Sequence, residues 1–464
     1  MRLDDEILRA VRHQAASDTE TRKTTEEIEG ISKIVKKALE NQTYNFSNSK
    51  PIVLNQNGKK RLVKRFPDIY SAESVLCQYI KNILDRTFKV KYPNRNKSVR
   101  MLFSVITAIK QMSDFTIFKF DFKDYFNSIS TVYVFEKFLK AELTDRFEIA
   151  LIENFAKNTK FAYAGFSTSN VIAEIIAKKF DDVVKQTLSK KGVLFYERYI
   201  DDSIIVLNGH IEKLECLEIL QQALKDIFFD DAVFALPKCK TRLNPNKFCY
   251  ISKRALVSAP VSIPVFIDYL GYNFWFSIGS GREILVKYGI TNAKRQKYNR
   301  RIDKLIGFYS DVNHPDYKNL ELLRHRIAAF TSRTVYRNKR FRSDIWKAKG
   351  FILNYGELRY LLNTQLIEAD TVKFLKDMVN DTFFRAGMPL PYFIAGSRAN
   401  NGYNLFENMK KNKTLLFVDH IGYDYHALVK LCKKIGIDDT DKKGVKRGYG
   451  TLVRDYLIET KVGY

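Results

Sequence analysis

The chain has 464 residues, 45% of them apolar, which excludes a disordered tail and leaves room for two to four packed units. Its 78 Lys and Arg outnumber 52 Asp and Glu, for a formal charge of +26. So large an excess repels itself unless something anionic is bound, and nucleic acid is the usual partner. A basic surface that only aids solubility is the plainer alternative. The five cysteines are scattered, with no C-x-x-C pair and no histidines at zinc spacing. A disulfide framework or structural zinc is therefore not expected, and a reducing cytoplasm fits. With no apolar run of membrane-spanning length and no apolar stretch in the first residues, no membrane partner is expected.

In chain order, Ile28, Ile31, Ile34, Val35 and Leu39 have the spacing of one apolar helical face. NQNGKKRLVKRF turns at Gly58 between two strand-like runs and predicts a hairpin with a basic tip. Helices are expected over Ser71 to Leu84 and after Val99. FTIFKFD is a strand that ends on Asp121. A helix follows GFSTSN through Ile172, Ile175, Ile176, Phe180 and Val183. VLFYERY and SIIVL are strands joined by the turn IDD. Leu217, Leu220, Leu224 and Ile227 mark another helix, with strands resuming near Ala232 and at FIDYLGYNFWF. This order is that of a split β-α-β sheet backed by helices. From about Asn292 the chain reads as mostly helical. Lys294, Lys297, Arg301 and Lys304 share one face of the first helix there, and G-M-P-L-P at Gly387 to Pro391 breaks the pattern.

Nucleotidyl transfer needs an attacking oxygen in line with the α-phosphorus and relief of charge on the phosphate oxygens. Two divalent cations roughly 4 Å apart supply both. Magnesium prefers carboxylate and phosphate oxygens, so aspartates at strand ends suit it. Asp121 ends one strand, and Asp201 and Asp202 form the turn of a hairpin able to lie beside it. Paired aspartates recur at Asp181-Asp182, Asp230-Asp231 and Asp438-Asp439, where a solvated surface is the better reading. The pair in Y-I-D-D differs because apolar strands flank it on both sides.

Six motifs in order, over roughly residues 50 to 275, resemble the reverse-transcriptase family. They are N-G-K-K-R at Asn57 to Arg61, F-D-F-K-D-Y-F at Phe120 to Phe126, and G-F-S-T-S at Gly165 to Ser169. Y-I-D-D follows at Tyr199 to Asp202, then L-N-P-N-K at Leu243 to Lys247 and Y-L-G-Y-N-F at Tyr269 to Phe274. The resemblance implies an α+β right-hand polymerase with fingers and a split β-α-β palm sheet, then a helical thumb and a helical C-terminal region. It places an N-terminal helical extension at 1–48, fingers at 49–114, palm at 115–284, a thumb-like region at 285–370 and the C-terminal region at 371–464.

It implies an RNA-directed DNA polymerase that adds dNTPs with two Mg2+ ions, or Mn2+, held by Asp121, Asp201, Asp202 and the Phe122 carbonyl. Lys60, Arg61, Phe122, Gly165, Ser169 and Lys247 would meet the nucleotide, and Phe126 would crowd the sugar 2′ position. RNA and DNA would lie along Lys294, Lys297, Arg301 and Lys304, and along Arg337 and Arg340 in RTVYRNKRFRSDIWKAKG. That second stretch reads equally as a solvated helix with core aromatics. The family usually has glutamine where Ala164 stands and proline where Asn170 stands. Many bacterial relatives have lysine at the place of Asn55, for which Lys59 or Lys60 is a substitute. These departures touch the nucleotide and template pocket. The compact chain, without a recognisable RNase H or endonuclease segment, most resembles the defence-associated and abortive-infection members. Some of these work with a companion non-coding RNA or partner protein, and some without a template or from a protein hydroxyl. Retron-type and group II intron-type enzymes are neighbouring alternatives. An RNA-directed RNA polymerase would want a small or polar residue at Phe126. A catalytically retired, RNA-binding scaffold would be expected to lose a carboxylate.

Overall fold

The computed structural model describes residues 3–18, 23–56, 59–229, 238–258, 264–340, 343–395, 402–441 and 444–462. It has mixed α+β structure in two compact units, one of residues 1–98 with 111–258 and one of residues 99–110 with 259–464.

In the first unit, the expected amphipathic helix spans Thr25–Glu40 and starts with a capping box between Thr24 and Glu27. Strands β1 (Lys50–Gln56) and β2 (Lys59–Arg65) form the basic hairpin. Asn57 and Gly58 lie outside the described residues, as do the Asp230-Asp231 pair and the strand expected near Ala232. The central strand β3 (Thr116–Lys123) is buried along almost all its length. Strands β4 (Val193–Tyr199) and β5 (Asp202–Leu207) form the second hairpin. The short strands β6 (Arg242–Leu243) and β7 (Cys249–Ser252) complete an antiparallel sheet. β5 pairs with one edge of β3, while β6 and β7 share the other.

Two helices, Ser167–Leu188 and Lys213–Phe228, back this sheet through one aromatic cluster. Phe120 and Phe122 of β3 meet Phe180 of the first helix, and Phe122 and Phe180 meet Phe228 of the second. Strand alternation then puts Lys119 and Asp121 on the opposite face. The hydrophobic core therefore fixes which face carries the carboxylates.

In the second unit the strands expected at FIDYLGYNFWF are present, while the remainder from about Asn292, expected to be mostly helical, also holds a sheet. Strands β8 (Val265–Tyr269), β9 (Tyr272–Ile278) and β10 (Ile284–Ile290) make a three-stranded antiparallel sheet. Phe103 packs its ring on Tyr272, Phe274 and Tyr288 of that sheet. The basic helix is present at Asn292–Ser310, with Tyr298, Ile302, Leu305 and Ile306 buried. RTVYRNKRFRSDIWKAKG, however, is a hairpin of β11 (Arg333–Arg340) and β12 (Ser343–Lys349). Strand β13 (Thr414–Phe417) joins β11 in parallel. Thr334 is buried and Tyr336 half-buried, while Arg337 is exposed, the alternation of a strand with one core face. The hairpin pairs locally along its length, and residues 333–336 gain a second partner from far downstream, which no local pattern reports. The helices Ala369–Arg385, Tyr425–Lys433 and Tyr449–Glu459 do meet the helical expectation.

Candidate active site

Residue pairing places the three aspartates together. Asp121 lies directly opposite Asp202 in the β3–β5 register, so their side chains share one face of the sheet. The Phe122 amide donates to the Asp201 carbonyl at 3.3 Å, tying the hairpin turn to the end of β3. β4 and β5 are joined by the two-residue turn Ile200-Asp201. Ile200 has φ of +63°. Positive φ at the first central position is the pattern of a II′ turn, where glycine is favoured. A β-branched residue there costs about 1–2 kcal/mol, which the surroundings must supply.

Asp121 is buried and each of its oxygens accepts a hydrogen bond. Lys247 Nζ donates to its Oδ2 at 2.5 Å and Asn244 Nδ2 to its Oδ1 at 3.3 Å. The Asn244 amide also donates to the Asp121 carbonyl at 2.8 Å. Asp202 forms an ion pair of 3.2 Å with the buried Lys119. Asp201 carries a raised pKa, first because burial disfavours its charge and second because Asp121 repels it. A backbone hydrogen bond and the charges of Lys247 and Arg61 oppose the rise.

Asp121 is buried and Asp201 half-buried, and two carboxylates that repel each other, one already capped by an ammonium, are a donor set that would suit a hard cation. A divalent ion between Asp121 and Asp201 would take the place of the Lys247 ammonium. Among the described residues, no group of three or more His, Cys, Asp and Glu side chains stands ready to hold one ion. Asp202 already has one oxygen, Oδ1, on Lys119.

The other expected residues are arranged around this centre. Phe122 is buried, its ring stacked on Tyr125 at 5.2 Å, so only its backbone faces the turn. Phe126 is half-buried, with its ring 5.4 Å from Tyr125. Lys60 and Arg61 are exposed on β2, and Lys60 is the cross-strand partner of Asn55, the position it was expected to cover. Nothing is described of the Lys59 side chain.

The β1–β2 hairpin rests on the loop before helix Ser167–Leu188. The Lys64 amide donates to the Ala164 carbonyl at 2.9 Å, and Lys64 Nζ lies 4.1 Å from the Tyr163 ring centroid. Gly165 has φ of +114°, and a Cβ there would sit 2.2 Å from the Lys64 carbonyl oxygen. Gly165→Ala is accordingly expected to cost about 2 kcal/mol or more, from strained φ and backbone collision together. A chemical-denaturation midpoint equal to wild type would contradict this. Ser169 is buried and donates to the Tyr163 carbonyl at 2.6 Å, so it fixes the loop.

In the second unit, Lys297 and Lys304 are exposed and Lys294 is half-buried. Arg301 is turned to the Lys461 carbonyl at 2.8 Å, which removes it from the even row of cations expected on that helix. Arg337 is exposed opposite the exposed Trp346, while the Arg340 side chain lies outside the described residues.

The sequence reading missed Lys119, Asn244 and Arg198. Strand alternation could have found Lys119, two residues before Asp121 on the same face. Asn244 lies within L-N-P-N-K. The Asp181-Asp182 reading is also corrected. Asp181 is buried, bonded by Tyr196 Oη at 2.7 Å and paired with Arg198 at 3.0 Å, whereas Asp182 is exposed. One aspartate faces the sheet and its neighbour faces water because adjacent helical residues point about 100° apart.

No family model matches the chain, and no curated protein matches its sequence. Among solved structures, it is similar to the apo telomerase from Candida Tropicalis truncated from its C-terminal domain, at 14% identity and a TM-score of 0.33. That similarity covers 52% of this chain and 55% of that one, so the chain spans little more than half the length of the structure it matches.

Proposed function

We propose that the protein is a nucleotidyltransferase of the reverse-transcriptase kind, which adds dNTPs to a growing 3′ end at Asp121 and Asp201. The single observation that carries this reading is the β3–β5 register, which sets Asp121 opposite Asp202 and beside the strained turn that holds Asp201. Divalent cations, Mg2+ or Mn2+, would be held by Asp121 and Asp201, with Asp202 and the Phe122 carbonyl as further donors. Bound there, they would lower the charge that develops on the phosphate oxygens and on the attacking oxygen. Arg61 and Lys60, on a hairpin whose Arg61 charge reaches Asp201, would take the triphosphate. Lys247 would move from Asp121 to the departing pyrophosphate. Phe126 would press on C2′ of the sugar and exclude a hydroxyl.

Fingers, palm and thumb would follow the boundaries given above, with RNA and DNA bound along Lys294, Lys297, Lys304 and Arg337. A role in bacterial antiphage defence, with a companion RNA and cytoplasmic location, extends the same reading. So does synthesis with relaxed need for a template. Its motive is Ala164, whose carbonyl is engaged by Lys64 and whose methyl offers no amide to a base. The Lys119–Asp202 ion pair is the one observation that favours a second reading, a retired palm that binds RNA without catalysis.

The test is incubation of the purified protein with Mg2+ and each labelled dNTP or NTP, with and without prior nuclease treatment, followed by sequencing of any product. DNA made from dNTPs is the expected result. Its persistence after nuclease treatment, or a restricted sequence, would mark synthesis without a conventional template. Incorporation of NTPs alone would replace the reading with an RNA polymerase. RNA binding without incorporation would replace it with the retired scaffold.

A further inference from the structure

Arg198 is buried on the face of the sheet opposite Asp121 and Asp202, yet its side chain makes hydrogen bonds to three acceptor groups. It is buried on the helix-facing side of β4. Its Nε donates to both oxygens of Asp181 at 3.1 and 3.0 Å. Its Nη1 and Nη2 form a fork on Glu174 at 3.0 and 2.7 Å. Both acids belong to helix Ser167–Leu188, so the guanidinium is fixed to the element that backs the sheet. Nη1 has a second acceptor, the carbonyl of Ile200 at 3.0 Å. Ile200 is the residue with φ of +63°, immediately before Asp201.

A buried cation flanked by two acids is weak evidence for stability, since desolvation offsets much of the attraction. Its geometry is better suited to placement. The five donors of arginine lie in one rigid plane, so acceptors held by a helix and a carbonyl at a turn are set at a fixed separation. Without that restraint, an isoleucine at the first position of a II′ turn would relax toward negative φ. The turn would then swing Asp201 relative to Asp121.

We infer that Arg198 is a positioning residue, which clamps the Ile200 carbonyl from beneath the sheet and so holds Asp201 beside Asp121 for cation binding. The inference rests on the function proposed above and names the part of the fold that makes its site work. Glu174 and Asp181 serve as the anchor of the clamp, with Tyr196 steadying Asp181.

The test uses the full chain. Arg198→Lys keeps a cation between the two acids but cannot span both of them and the Ile200 carbonyl. Mn2+ binding, followed by water-proton relaxation, and dNTP incorporation are measured side by side. The variant is expected to bind Mn2+ several-fold more weakly and to lose kcat on the order of a hundredfold, with KM for dNTP little changed. Ile200→Gly added to Arg198→Lys is expected to restore much of both, because glycine takes positive φ without a clamp. Glycine at one turn does not mend a general loss of fold, so rescue separates placement from mere stability. Glu174→Gln, which leaves Arg198 charged and on Asp181, is expected to show the same pattern more weakly. Wild-type Mn2+ affinity and kcat in Arg198→Lys would overturn the inference, as would a loss that Ile200→Gly leaves untouched. A wild-type protein that neither binds Mn2+ nor incorporates dNTPs would instead overturn the proposed function, and this role with it.

Discussion

Asp121→Asn and Asp201→Asn are each expected to give a folded, RNA-binding protein that makes no measurable DNA. Asparagine keeps the size of the side chain and one acceptor oxygen but removes the charge. At position 121 it leaves the Lys247 ammonium without its anionic partner, and a divalent cation without its most buried donor. At position 201 it removes the carboxylate that burial and Asp121 already make reluctant to ionise. Loss of either is expected to slow synthesis at least about a thousandfold, equivalent to about 4 kcal/mol of transition-state stabilisation. Asp202→Asn is expected to cost less, because Lys119 already engages that carboxylate. Initial rates of dNTP incorporation at saturating Mg2+, with thermal melts and RNA-binding isotherms as controls, check all three. Near wild-type rates in both Asp121→Asn and Asp201→Asn would remove the site.

The second large effect is expected in substrate choice. Phe126→Ala should raise the efficiency of rNTP over dNTP incorporation by at least about tenfold, because a steric exclusion is lifted without touching any carboxylate. The ring stands on a stiff base. Its neighbour Tyr125 is buried, stacked on Phe122 and bonded through its hydroxyl to the Ala173 carbonyl at 2.8 Å. The backbone from which the Phe126 ring projects is thereby held in place. The measurement is the ratio of kcat/KM for matched rNTP and dNTP in wild type and variant. An unchanged ratio would make Phe126 a packing residue and reopen the RNA-polymerase alternative.

The residues of the candidate site were legible because its chemistry is local in sequence. A strand of alternating aromatics around Asp121 and a tight turn between apolar strands mark the carboxylates as candidates, and the neighbouring motifs in their order set them apart from the other paired aspartates. The amphipathic helices were legible for the same reason, since a period near 3.6 is written in consecutive residues. Charge balance and the pairing of β1 with β2 were also in the sequence. Tertiary structure decided what depends on distant partners. Lys119 on Asp202, Asn244 and Lys247 on Asp121, and Arg198 under Ile200 are set by sheet register and helix packing. Asp181 became a buried anchor, not a solvated pair, because its side of the helix faces Arg198. The β11–β12 hairpin stands where a helix was an equal reading, and β13, far along the chain, adds a parallel partner along residues 333–336. Local pattern fixes periodicity, and so which face of an element is apolar. Which polar groups meet across two elements is a matter of register and packing, and only the folded chain determines it.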